Sequence, residues 1–167
     1  MKNNISTVDK IIEDTDSMIK QIIDNTDKIL CSAECCDNSR GDIRRMCDNA
    51  IDDVLEDANI KIKSLSDSEY SDALVLAFKK NAHDTDGVIY ISDKDKQRIK
   101  NDFISRCNSC LKSGHMKWGG FISTLEDGFI LSYGKLDVKC SVDSIFTVKS
   151  SRRRRAEKSN LMTYIEK

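Results

Sequence analysis

The pattern most suggestive of chemistry is Cys107-Asn108-Ser109-Cys110, with His115 five residues beyond Cys110. Two cysteines separated by two residues can supply half of a zinc site or a redox disulfide. A closed zinc site takes four ligands, usually from two such pairs. Here Cys31, Cys35, Cys36 and Cys47 lie far off and provide no matching second pair. On a helix, positions 107 and 110 share one face. Packing by inert thiols is therefore the plainer reading, and no metal is expected. The chain has only two histidines, His83 and His115. Neither has a serine or carboxylate at a spacing that marks a catalytic triad. Gly119-Gly120 resembles the start of a phosphate loop, but no G-x-x-x-x-G-K-[ST] or G-x-G-x-x-G follows. The run Arg152-Arg153-Arg154-Arg155 could neutralise phosphates. It lacks interleaved aromatics and a recognition-helix or RNA-sheet signature. It reads as a solvated helical face or a surface for an acidic partner. These observations point to no catalytic residues, no cofactor and no nucleic-acid partner.

The elements that carry these residues divide the chain unevenly. Its 167 residues include no proline, 7 glycines and 33% charged side chains, for a net charge of −1. Average usage would give about eight prolines, so a turn-rich sandwich, a barrel and a proline-rich linker are all disfavoured. All aromatics lie at or after Tyr70, and every glycine but Gly41 lies at or after Gly87. Residues 1–69 carry 9 basic and 16 acidic side chains, a net of −7; residues 70–167 carry 18 and 12, a net of +6. An acidic helical segment joined to a basic globular domain follows. The N-terminus has no apolar signal-peptide core, and no apolar run approaches the ~18 residues of a spanning helix. A soluble cytoplasmic chain with reduced thiols is expected.

From Val8 to Leu65 the apolar residues fall at helical spacing. Repeats of eleven and of seven fit about equally; Val8–Ile19–Leu30, Ile11–Ile22–Ala33 and Ile43–Val54–Leu65 follow the first. Eleven residues in three turns is about 3.67 per turn, which favours a straight or right-handed supercoil. A continuous rod of this length would run about 85 Å, too long to pack wholly on its own domain. The residues that would meet a partner helix are Val8, Ile11, Ile12, Ile19, Ile22, Ile23, Ile29 and Leu30. Asp37-Asn38-Ser39-Arg40-Gly41 is a weak point, where the rod continues, kinks or folds back as a hairpin.

Ser66 with Glu69 forms a capping box before a helix over 70–81. Gly87–Ser92 reads as a short buried strand. Asp93 caps a helix running to Leu111. Gly119–Thr124 and Phe129–Tyr133 read as a strand and its return, turned at Glu126-Asp127-Gly128. A terminal helix from about Ser141 carries Val142, Ile145, Phe146, Val148, Leu161, Met162 and Ile165. The expected class is α+β: a long N-terminal coiled-coil stalk helix over 1–65, then a small α/β domain over 66–167. The expected order is α-α-β-α-β-β-α.

This arrangement resembles the E subunit of the prokaryotic V/A-type ATP synthase (V-type ATPase). The likeness rests on the long proline-free helix, Tyr70 in a short helix, and Val88–Ile91 followed by Asp93 and Asp95. It continues through Gly119-Gly120-Phe121-Ile122, Tyr133-Gly134 before the last strand, and Cys140-Ser141-Val142-Asp143-Ser144-Ile145-Phe146. The chain departs from the family in its Arg152–Arg155 run and in ending Tyr164-Ile165-Glu166-Lys167. The resemblance implies a non-catalytic peripheral-stalk, or stator, subunit of a proton- or sodium-translocating rotary ATPase. It implies a coiled-coil heterodimer with a second stalk subunit, docking on catalytic-head subunits, and membrane association only through the complex. Val142, Ile145, Phe146, Leu161 and Ile165 would contact the head. A stator protein of a flagellar or type III secretion ATPase is an alternative of similar architecture. A basic nucleic-acid or regulatory binding module is an alternative of another class.

Overall fold

A computed structural model describes residues 6–32, 37–99 and 101–146. The chain divides into two compact units, Met1–Ser64 and Leu65–Lys167. Among the described residues there are four α-helices and one four-stranded sheet, an α+β architecture.

The first unit holds α1 (Thr7–Ser32) and α2 (Asp37–Lys63). Ser6 opens α1: its Oγ accepts the Asp9 N–H at 3.1 Å and donates to the Asp9 carboxylate at 2.7 Å. Of the outcomes left open for the stalk helix, the hairpin is the one that forms: two helices fold back on one another. Ile11, Thr15 and Met18 near the start of α1 share a cavity with Val54 and Ala58 near the end of α2. Arg40 at the start of α2 donates to the Leu30 carbonyl near the end of α1 at 3.3 Å. The two helices are therefore antiparallel. Gly41 lies inside α2, so the expected weak point at Asp37–Gly41 is a helix start. Asp, Asn and Ser are residue types favoured at helix starts. Val8, Thr15 and Ile19 of α1 are buried, as are Ile51, Leu55, Ala58 and Ile62 of α2.

The second unit begins with α3 (Asp67–Asn81), capped as expected. The Ser66 side chain accepts the Glu69 N–H, and Glu69 reaches back to the Ser66 N–H at 3.3 Å. The sheet comprises β1 (Gly87–Ser92), β2 (Met116–Ile122), β3 (Phe129–Ser132) and β4 (Asp137–Cys140) in the order β2-β1-β3-β4. β1 and β2 are parallel; β1 pairs with β3, and β3 with β4, in antiparallel fashion. The expected hairpin between β2 and β3 does not form, because β1 lies between them. The loop that joins them crosses the end of β1: the Ser92 N–H donates to the Gly128 carbonyl at 2.9 Å and Ser92 Oγ donates to that of Leu125 at 2.8 Å. The hairpin joins β3 to β4 instead, turning through Gly134 at φ +87°. Asp137–Cys140 is a fourth strand, one more than the expected order holds.

The expected helix from Asp93 to Leu111 is also broken. A 3-10 turn spans Asp93–Asp95, and α4 covers only Phe103–Ser109. Asp95 is drawn into the core rather than left on an exposed helix face, which stops the helix there. The terminal segment starts as a 3-10 turn, Val142–Ile145, packed on α3. Val148, Leu161, Met162, Ile165 and the Arg152–Arg155 run lie outside the described residues. Helices and sheet share an aromatic core in which Phe129 stands 6.3 Å from Phe78 and 6.1 Å from Phe103, centre to centre.

Candidate interaction surfaces

The potential chemistry of the cysteine pair is muted by its placement. Cys107 is fully buried on α4, and burial pushes its thiol pKa up, with neighbouring Cys110 adding to the effect. A reactive thiolate needs the opposite shift. Cys110 donates to the Arg106 carbonyl at 3.3 Å. The His115 backbone, not its ring, is engaged, donating to Asp86 at 2.8 Å. Among the described residues no three or more His, Cys, Asp or Glu side chains converge on a metal-sized site.

The buried polar centre of the second unit is Asp95, 4% exposed. The Tyr70 hydroxyl donates to its Oδ1 at 3.0 Å and the Gly128 N–H to its Oδ2 at 2.7 Å. Arg98 stacks 3.8 Å above the Tyr70 ring and donates to the Leu65 carbonyl at 2.8 Å. Burial holds the Asp95 pKa above the ordinary carboxyl value, although both hydrogen bonds oppose the shift. Burial also raises Tyr70, with Asp95 adding to it. The cluster ties α3, the 3-10 turn after β1 and the β2–β3 loop into one frame. It is enclosed by the fold and works as a structural anchor.

The glycine pair on β2 has two distinct physical causes. A side chain at Gly119 would meet the Tyr90 ring and the Val88 methyl at 2.5 Å. Gly120 adopts φ +114°, a conformation suited to glycine, where the β1–β2 register shifts by one residue. The shift keeps Trp118 opposite Ile89 and Phe121 opposite Ile91, on the core-facing side of the sheet. β2 is an edge strand, so both rings remain partly open: Trp118 is 47% and Phe121 39% exposed. Their centres are 4.9 Å apart, edge to face, and Lys96 sits 5.1 Å over Phe121. With Ile91, Ile99, Phe103 and Ile104 they line a groove of about 560 Å³. Sequence reasoning missed this groove; the aromatic pair in Trp118-Gly119-Gly120-Phe121 was its only trace. Tyr133, from the Tyr-Gly pair, accepts the His83 N–H at 2.9 Å and packs edge-on against the His83 ring.

The residues expected to meet a partner helix separate into two groups. Val8 and Ile19 are buried, and Ile11, Ile12, Ile22 and Leu30 are half-buried. Ile23 and Ile29 are exposed at 39% and 51%, and Met18 joins them at 50%. Part of the stripe is thus consumed by the hairpin seam and part is left open. The expected head-contact residues Val142, Ile145 and Phe146 are buried inside the second unit, so they support its surface rather than form it. Lys80 donates to the Ile145 carbonyl at 2.6 Å and fixes that turn to α3. Leu161 and Ile165 lie outside the described residues. Among the described residues, no helix is long and apolar enough to cross a membrane.

Comparison with known proteins finds similarity to members of the family that the residues resemble. The chain is 25% identical over 103 residues to the E subunit of the V-type proton ATPase of Thermoanaerobacter pseudethanolicus, covering 59% of this chain and 52% of that protein. It is 30% identical over 93 residues to the E subunit of the V-type ATP synthase of Acetivibrio thermocellus, covering 53% of this chain and 47% of that protein. The chain spans about half the length of the curated relatives it matches. No family model matches it, and no solved structure matches it. The resemblance to the E subunit is therefore supported by aligned sequence similarity as well as by ordered motifs.

Proposed function

We propose that this chain is a peripheral-stalk subunit of a V/A-type rotary ATPase, a stator that carries load and performs no catalysis itself. The observation that carries this reading is the similarity to the E subunits of two V-type ATPases. The division into an acidic helical unit and an α/β unit supports it. In this reading the helical unit, residues 1–65, pairs with a second stalk subunit. The α/β unit, residues 66–167, docks on the catalytic head, using the terminal segment that contains Leu161 and Ile165. Val142, Ile145 and Phe146 hold the root of that segment in place. The chain acts on the cytoplasmic side and reaches the membrane only through the complex, which moves protons or sodium ions.

Co-expression with a second stalk subunit from the same source, followed by analytical ultracentrifugation, tests this. The expected result is a stable, elongated 1:1 heterodimer. A compact monomer indifferent to that subunit would overturn the reading.

A further inference from the structure

Residues three apart on a regular strand point to opposite faces of a sheet. Trp118 and Phe121 are three apart on β2, yet both lie on the core-facing side. The register shift opposite Ile89 and Tyr90 brings this about. Gly119 and Gly120 permit the shift: the first leaves room for the Tyr90 ring, and the second takes φ +114°. The product is an aromatic corner at the wall of the groove, with ring centres 4.9 Å apart. Lys96 closes over it, 5.1 Å from the centre of Phe121. It directly follows Asp95, which Tyr70 and Gly128 hold at 3.0 and 2.7 Å, so this lysine springs from an anchored turn.

The groove of about 560 Å³ is of the size that takes a small molecule. Its lining is apolar along Ile99, Ile104, Trp118 and Phe121, with Lys96 and Asn101 as its polar side chains and no carboxylate. Among the described residues no carboxylate pairs with Lys96. An added peptide strand fits poorly, because the bulge breaks the regular spacing of β2 and Lys117 sits on the same edge strand. Charge selects among the other occupants. Residues 65–146 carry 11 basic and 12 acidic side chains, a net of −1, so they offer no general attraction to an anionic bilayer. Residues 147–167 carry 7 and 2, a net of +5, the same sign as Lys96. The groove of a second copy would set Lys96 against Lys96. A small molecule with an apolar body and one negative charge complements both parts of the lining. We propose that this groove is a binding site for an aliphatic carboxylate, its chain against the Trp118–Phe121 corner and its carboxylate at Lys96. The site is separate from the stalk reading and does not rest on it.

The test titrates the full chain with decanoate, decanol and decylammonium near neutral pH, below micelle formation. Trp118 is the single tryptophan and reports occupancy by its emission. The expected result is a saturable blue shift with decanoate at one per chain, weaker binding of decanol and weaker still of decylammonium. Lys96 is exposed, so its substitution leaves the core untouched. Lys96→Met keeps the apolar stem and should weaken decanoate roughly tenfold, the loss of one contact to a charged group. It should leave decanol unchanged, so that the two probes bind alike. Lys96→Arg should restore the preference for the anion. Lys117→Met, on the opposite face of β2, should alter neither probe. Absence of saturable decanoate binding overturns the proposal, as does an equal loss of decanoate and decanol in Lys96→Met. A blue shift with phosphatidylglycerol vesicles but not with decanoate would assign the groove to a lipid surface instead. A shift that follows chain concentration without any probe would assign it to a second copy. Each of these outcomes leaves the stalk reading standing, because none involves the second stalk subunit.

Discussion

The two units solve the problem of burying apolar surface in different ways. The α/β unit encloses four phenylalanine rings, Tyr70 and the inward faces of β1 and β3 almost completely. The helical unit has no aromatic residue to enclose. It buries one row of Val, Ile, Leu and Ala along a two-helix seam and leaves Met18, Ile23, Ile29, Met46 and Ile60 substantially exposed. A seam of two helices gives each helix one neighbour, so an amphipathic stripe wider than that neighbour stays wet. The α/β unit closes its core on itself and leaves apolar surface open mainly at the β2 edge, while the helical unit leaves it open along both helices. In the proposed stator role, one part would hold a fixed shape and the other would combine with another chain.

The sharpest way to break this contrast is to remove a core ring. Phe129→Ala should destabilise the α/β unit by about 3–5 kcal/mol. The single tryptophan, Trp118, lies in this unit and reports its unfolding in urea. Leu55→Ala in the hairpin seam should lower far-ultraviolet helicity and leave the tryptophan transition nearly in place. An equal shift of that transition by Leu55→Ala would mean the two cores are not separate.

A smaller effect tests the polar anchor, for which the hairpin has no described counterpart. Asp95→Ala leaves the Tyr70 hydroxyl and the Gly128 N–H without their acceptor and should cost about 2 kcal/mol, read as a lower urea midpoint. Asp95→Asn separates shape from charge. Burial raises the folded pKa of Asp95, so the fold favours the protonated form. Its contribution to stability is fully present below the ordinary value of 3.8 and is lost as pH rises through the raised folded value. In Asp95→Asn this part of the pH dependence should vanish. A profile identical to the unmodified chain would show that Asp95 does not titrate with an upward shift.

What was legible in the sequence was local. The Ser66–Glu69 capping box and the apolar run of β1 needed only neighbouring residues, and both are present. Strand pairing was not local. Glu126-Asp127-Gly128 marks a real turn, but a turn signal does not say which strand lies alongside, and β1 took the place expected for a β2–β3 partnership. The helix expected from Asp93 ran too long because nothing in the spacing shows that Asp95 is held by Tyr70 and Gly128, distant in the chain. On α1, the repeat identified apolar positions, but the partition between seam and open row depends on where α2 lies. The groove beside Trp118 arises from a register shift and an edge position, neither of which leaves a periodic signature.

The smallest effect is also the most discriminating, because one substitution should act with opposite signs in the two units. Gly119→Ala places a methyl group against the Tyr90 ring and Val88 in a packed sheet, at 2.5 Å. It should destabilise by about 1–3 kcal/mol, the usual range for overpacking. Gly41→Ala lies within α2, where nothing stands within 4 Å of the added methyl. Alanine is favoured over glycine in a helix by about 1 kcal/mol, so this variant should gain roughly that much. The check is a pair of thermal melts: tryptophan emission for Gly119→Ala and helicity at 222 nm for Gly41→Ala. A loss at Gly41 would mean that α2 bends there. A gain at Gly41 with a loss at Gly119 would tie each glycine to its own cause, a replaceable residue in a solvated helix and a required gap between packed side chains.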